Sequence, residues 1–282
     1  MSLSLVLSPQ LVACVAKCMR VRIVWDPIGK RRILWGWGVP PLDAESLPRE
    51  VTWNPELEQL CYAPLTEQAE LRGPALTIPA IPLTLKAQKP VVIGPWEGSV
   101  GNQSEVVATF AISPSASETI FGVVVMGGAD TATSGTMFFV HYTPPVTGAG
   151  WPRSVTVGAA TNRTATASGA ESFTCNQPGV ICANDTLQLT ARDENITLRA
   201  FIDNNVAECY WGPQGEENRV AIMVHAPPTA EASVSLVGDE SVTVTALSAW
   251  QVQSIWVSNE EVLATPRKMN VDGGSRRQPA RR

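Results

Sequence analysis

From residue 76 onward the chain is cut into about ten short apolar segments, too short and too irregular for helices. They read "LTIPAIPLTL", "EVVATF", "IFGVVVMG", "TMFFVHY", "RSVTVG", "TLQLTA", "TLRAFID", "VAECYW", "RVAIMVHA" and "SVTVTALSAWQVQSIWV". Most are rich in β-branched or aromatic residues and lie between Gly, Pro, Asn and Ser clusters, where a chain turns easily. Strands at this spacing, with almost no helix among them, predict an all-β fold with an antiparallel β-sandwich over residues 75 to 258. In "ITLRAFIDNNVAECYW" two strands meet at Asn204–Asn205, and Asn accepts the positive φ of a tight hairpin.

Ahead of the sandwich, "RVRIVW", "RRILWGWG" and "REVTWN" place three strands in about 35 residues, which predicts a small antiparallel sheet over residues 21 to 63. The segment "PLTEQAELRG" opens on Pro and ends on Gly, and it predicts a linker helix over 64 to 74. Residues 1 to 20 carry no clear assignment. "RRQPARR", after "NVDGGS", predicts a disordered basic tail over 259 to 282. Trp35 and Trp37 are two apart, in the same run as Arg31 and Arg32, so on a strand both indoles share one face. Such a face is either packed core or a platform on which sugars stack, and packing is the favoured reading.

Composition narrows the partners. The 282 residues are 44% hydrophobic and 17% charged, as in a globular chain of about two domains. A net charge of -5 argues against nucleic acid, which demands a basic surface. Two His and no zinc-type Cys spacing leave no expected metal or other cofactor. Cys175 and Cys182 flank the turn-rich "NQPGVI" and are expected to form a disulfide in an oxidising compartment, while Cys14, Cys18, Cys61 and Cys209 have no assignable partners. Sequons at Asn102, Asn162, Asn184 and Asn195 point to a secretory route. The opening "MSLSLVLSPQLVACVAKCMR" is a poor signal peptide, with Pro9 in its middle and no basic start, and it is too short for a membrane span.

Two stretches carry a resemblance. "DPIGKRRILWGWG" with "SLPREVTWNPELEQLCYAPLTEQAELR", and "LRAFIDNNVAECYW" with "NRVAIMVHAPP", resemble glycoside hydrolase family 32, the invertases, levanases and fructan exohydrolases. In that family an R-R-I-L-W-G-W strand belongs to the last blade of a five-bladed β-propeller, and an L-P-R stretch leads through a linker to a β-sandwich. The resemblance covers about residues 24 to 257 and implies structural roles for Asp26, Arg31, Arg32, Trp35, Gly36, Trp37, Leu47, Pro48, Arg49, Asp203 and Glu208. It also implies a secreted or vacuolar protein and a carbohydrate partner, sucrose or a fructan.

The chemistry of that family needs two carboxylates ~5 Å apart, a nucleophile and a general acid/base. Three stretches here imitate its motifs: "WDPIG" at Asp26, "RDE" at Arg192–Asp193 and "AEC" at Glu208. All three are expected to be decoys. Asp26 runs straight into the R-R-I-L-W-G-W strand, Asp193 precedes a sequon, and Glu208 lies in the sandwich hairpin. Only 15 residues separate Asp193 from Glu208, whereas the family spaces its motifs several tens apart on different blades. The chain thus reads as the C-terminal part of an invertase-like hydrolase without catalytic residues; a lectin-like sugar- or partner-binding sandwich is the alternative.

Overall fold

The computed structural model describes residues 18–38, 44–87, 89–93, 103–113, 116–127, 135–144, 154–161, 182–225 and 233–253. Cys14, Cys175, Asn102, Asn162 and the tail 259–282 fall outside these residues, as do the side chains of Cys18 and Cys182. No described helix is long and apolar enough to cross a membrane.

Four consecutive strands, β1 (Cys18–Asp26), β2 (Arg31–Gly38), β3 (Arg49–Asn54) and β4 (Gln59–Pro64), form an antiparallel sheet in the order β1-β2-β3-β4. Two of its turns are built alike. Asp26 Oδ1 accepts from the Ile28 and Gly29 N–H groups at 3.0 and 3.1 Å, and Lys30 takes φ 52°. Asn54 Oδ1 accepts from Glu56 and Leu57, both at 3.0 Å, and Glu58 takes φ 51°. In each, a short acceptor side chain satisfies the N–H groups that the turn frees. The fourth strand, "QLCYAP", was not expected; it is buried on both faces, so it lacks the polar alternation that marks a strand.

The predicted helix is tighter and shorter than expected, a three-ten helix over Thr66–Leu71 with no buried residue and no side-chain cap at Leu65. "TEQAEL" offers no apolar stripe to hold an α-helix against a core. Strand β5 (Arg72–Ala75) follows at once.

The remainder is a two-sheet sandwich. Strands β6 (Leu83–Thr84), β7 (Val91–Ile93), β8 (Gln103–Ile112), β9 (Thr119–Gly127), β10 (Thr136–Tyr142) and β11 (Ser154–Thr161) come first. Then come β12 (Cys182–Gln188), β13 (Asn195–Asp203), β14 (Val206–Gly212), β15 (Val220–His225), β16 (Ser233–Val237) and β17 (Val242–Val252). One sheet runs β12-β11-β10-β9-β16-β7; the other runs β15-β14-β13-β8-β17-β5, with β6 beside β17. Between them lies one core. Phe121, Val123, Phe138 and Val140 on one side meet Val106, Phe110, Leu198 and Trp211 on the other, all fully buried. Burying each such side chain contributes roughly 1.5–3 kcal/mol, so this core dominates stability.

Two details keep the sheets in register. Before the irregularity between Val244 and Ala246, β17 sends even-numbered Val242 and Val244 inward; after it, odd-numbered Leu247 and Ala249. A bulge shifts the inward set by one residue, so apolar positions that break strict alternation still meet the core. Gly122 lies opposite Phe139, and a Cβ there would stand 2.0 Å from the Phe138 carbonyl oxygen. Only glycine fits this approach. The expected hairpin is present, with Asn204 at φ 54° between β13 and β14.

Candidate functional site

The small sheet meets the sandwich through a buried ion pair. Arg49 starts β3, and its Nε donates to Glu208 Oε1 at 2.7 Å while Nη2 stands 2.6 Å away. Glu208 Oε1 also accepts from the Tyr210 hydroxyl, and Oε2 accepts from the Leu47 N–H at 2.9 Å. Both charged side chains are 3% exposed. The Arg49 guanidinium also covers the Tyr210 ring, 5.5 Å from its centroid. Burial, and then the charge of Glu208, push the Tyr210 hydroxyl far above its ordinary pKa, so it stays a donor. Every oxygen of Glu208 is thereby engaged, and none faces a reacting group. Gly36 and Pro48 brace the same corner: the Gly36 N–H donates to Ser46 Oγ at 3.0 Å, and the Pro48 carbonyl accepts from Leu65.

Asp26 serves a second cluster. Besides its turn, it accepts from Arg31 Nε at 3.1 Å; Arg31 also binds Glu67 on the three-ten helix and lies 3.9 Å from Glu50. The sheet's first hairpin is thus tied to the connector that leaves it. The Gly29 N–H, with Ile28 and Arg31, holds the Asp26 carboxyl below its usual range, and Arg31 holds Glu67 at about 2. Neither carboxyl is protonated near neutral pH, so neither can serve as a general acid.

Asp193 belongs to a third. It binds Arg219, accepts from the Thr190 N–H at 2.6 Å, and is buried, whereas the preceding Arg192 is exposed. Burial pulls its carboxyl upward, but hydrogen bonds from Arg219 and Thr190 outweigh this and leave it below the ordinary value. Asp26, Asp193 and Glu208 are therefore each committed to a different arginine. No two of them share a partner. Among the described residues no group of three His, Cys, Asp or Glu side chains could hold a metal ion.

The tryptophans divide by face. Trp35 is half-buried and Trp37 is 36% exposed, on the face of β2 that also carries Arg31. Arg32 points to the other face, opposite Trp25, with its guanidinium 6.0 Å from that ring. Register puts Trp25, Arg32, Val51 and Tyr62 in one row, and Trp53 shares their face two residues along. Trp25 and Trp53 are 57% and 58% exposed, more than either member of the pair that the sequence singled out. Their face also carries buried Leu34, Arg49 and Tyr62, so Trp25 and Trp53 lie at the uncovered part of the face that meets the sandwich, which sequence spacing within one strand does not reveal.

A further network escaped the sequence reading. Glu105, fully buried on β8, binds Arg72 of β5 through two hydrogen bonds and Arg199 of β13 through a third, each 2.7 Å. Arg72 in turn stacks 3.8 Å from the Trp250 ring centroid. Charge thus ties β8 to its ladder neighbour β13 and, across β17, to β5. Asp203 is exposed at the end of β13 and accepts from Gln103 at 3.0 Å. Asn184 is exposed on β12 and Asn195 half-buried at the start of β13. Cys61 and Cys209 are buried free thiols, both raised in pKa by burial.

No protein-family model matches the sequence, and no curated protein matches it. Solved structures do. Fructan 1-exohydrolase IIa from Cichorium intybus aligns at 17% identity and TM-score 0.63, covering 84% of this chain and 48% of that chain. A second structure of that enzyme, in complex with 1-kestose, gives 17% and 0.64 over the same shares. Sucrose-6-phosphate hydrolase from Lactobacillus gasseri gives 14% and 0.52, covering 85% of this chain and 42% of that one. At these identities the likeness is one of fold: a small sheet joined to a β-sandwich, as in the C-terminal part of those fructan and sucrose hydrolases. The chain spans about half the length of the solved structures it matches.

Proposed function

We propose that these residues form the non-catalytic portion of a fructoside-acting glycoside hydrolase, a blade and sandwich that support a catalytic domain but do not cleave the glycosidic bond. The observation that carries this is the engagement of every candidate carboxylate. A retaining mechanism needs a nucleophile and a proton donor facing one anomeric carbon. Here Asp26, Asp193 and Glu208 are each bound by a separate arginine, and Asp26 and Asp193 have lowered pKa values. The purified chain is expected to release no fructose from sucrose, inulin or levan above the buffer rate, by reducing-sugar assay. A measurable rate that Asp26→Asn or Glu208→Gln abolishes overturns this reading.

A lectin-like role without hydrolysis is the second reading, and the exposed indoles Trp25 and Trp53 favour it. Quenching of tryptophan fluorescence by inulin or levan, lost in Trp53→Ala, would support it. Passage through the secretory route accompanies either reading. Protein recovered from an oxidising secretory host is expected to carry glycan at Asn184 and a Cys175–Cys182 disulfide. Peptide mass spectrometry that finds Asn184 unmodified and both thiols free in secreted material would refute that route.

A further inference from the structure

Strand β12 is held in opposite ways along its length. At its C-terminal end Arg219 Nη1 donates to the Gln188 carbonyl at 3.0 Å, while the same guanidinium binds Asp193. Glu216 and the Cys61 thiol are the other ionisable groups beside this guanidinium; Glu216 is exposed, and burial keeps the thiol neutral. Three residues before Gln188 the environment reverses. Asp185 stands opposite Val157, between the Ala183–Ala159 and Leu187–Val155 pairs, and these five neighbours belong to the core or pack on it. Its side chain therefore points into the sandwich. The described sandwich strands carry three other acidic residues, Glu105, Asp203 and Glu208, and register puts all three on outward faces. Glu105 and Glu208 meet arginines there, whereas no cation pairs with Asp185. Its one hydrogen bond comes from the adjacent Thr186 N–H at 2.7 Å. β12 carries no other charge, and β11 has no ionisable side chain. β15, which packs against β12, carries only His225, of opposite parity to inward Val220, Ile222 and Val224. The inward Cys209 of neighbouring β14 is kept neutral by burial.

We propose that β12 is an acid-sensitive strand: ionised Asp193 locks its C-terminal end through Arg219, ionised Asp185 loosens its middle, and the strand is held most firmly in mild acid, where only Asp193 keeps its charge. An unpaired carboxylate on an inward face resists ionisation, because burial penalises the charged form, and the Thr186 N–H offsets only part of this. The two groups therefore have opposite signs. Asp193 contributes fully above the ordinary carboxylate pKa, and its contribution is lost as pH falls through its lowered folded value. Asp185 costs nothing below the ordinary value, and its cost grows as pH rises through its raised folded value. The optimum lies between the two folded values, near the ordinary carboxylate pKa of ~4. Asp185 is half-buried, so solvent screens part of its cost. The effect belongs to the seam between β12 and β15, as a local opening does, and not to the whole core.

Hydrogen–deuterium exchange of the full, unglycosylated chain reads this directly, once rates are corrected for the pH dependence of the exchange chemistry. Relative to interior strand β13, the amides of residues 183 to 188 should gain protection from about pH 7 to about pH 4.5 and lose it again toward about pH 3. Asp185→Asn keeps an oxygen for the Thr186 N–H and removes the charge. At about pH 7 it should protect these amides as well as wild type does at about pH 4.5, and its urea midpoint should exceed that of wild type. By about pH 3 the two midpoints should coincide. Wild-type protection that does not rise on acidification overturns the proposal, as does an equal rise in Asp185→Asn or a lower midpoint for that variant at about pH 7. Asp193→Asn should abolish the loss on the acid side, and a loss that persists there would remove Arg219 from the device.

Discussion

Replacing Arg49 with methionine should lower the unfolding free energy by about 3–5 kcal/mol, because it strands the Glu208 carboxylate in a buried site. Glu208 is 3% exposed, so water cannot take over the guanidinium's role without opening the corner between small sheet and sandwich. Tyr210 and the Leu47 N–H remain, but neither carries the compensating charge. Arg49→Lys should rescue little, since a single ammonium cannot reproduce both nitrogens aimed at Glu208 and the cover over Tyr210. Glu208→Leu alone should cost a similar amount by stranding Arg49. Combining Arg49→Met with Glu208→Leu should recover most of the loss, because a well-packed apolar pair often equals a buried ion pair. Urea denaturation of the four proteins makes a double-mutant cycle. Additive losses in that cycle would show that the two side chains act independently and would refute the clamp.

The sandwich was legible because its strands are runs of β-branched and aromatic residues bounded by turn residues, some alternating like β17 and others, like β9 and β10, buried nearly throughout. Eight of the ten quoted segments coincide wholly or largely with strands, and "TLQLTA" does so over its first half. The exception, "LTIPAIPLTL", yields only Leu83–Thr84, because Pro79 and Pro82 have no N–H to give a ladder. The strands that went unseen are short or buried on both sides: Val91–Ile93, Ser233–Val237, Gln59–Pro64 and Arg72–Ala75. Three- to six-residue apolar runs carry no period to read.

The candidate site divides in the same way. That Asp26 is a turn residue was expected from its place ahead of β2, and its carboxylate accepts from the Ile28 and Gly29 N–H groups. That Arg49 and Glu208 are partners did not follow, although the resemblance singled out both. They lie 159 positions apart, and an ion pair leaves no local pattern in either stretch. Glu105 escaped for a related reason. A lone acidic residue at the head of "EVVATF" looks like the solvated end of a strand, yet two arginines from distant strands surround it. Charge at a strand position indicates a surface only when no opposite charge comes from elsewhere in the fold.

Asp193→Asn should be comparably damaging, by about 3–5 kcal/mol at neutral pH, and its cost should depend on pH. Arg219 is 3% exposed and Asp193 8%; the other acidic partner, Glu216, stands 3.2 Å away and is 57% exposed, too solvated to compensate fully. Asparagine keeps an oxygen for the Thr190 N–H but removes the charge. Asp193 has a folded pKa below its ordinary value, so its contribution is complete above the ordinary carboxylate pKa. As pH falls below that value toward the folded one, the unfolded state takes up the proton first and the contribution is lost. Wild type and variant should therefore differ strongly at about pH 7 and converge toward about pH 3, in urea midpoints taken at each pH. A gap that stays constant across that range would mean that asparagine acts through shape alone. The carboxylate of the "RDE" stretch would then not be the charge that holds Arg219.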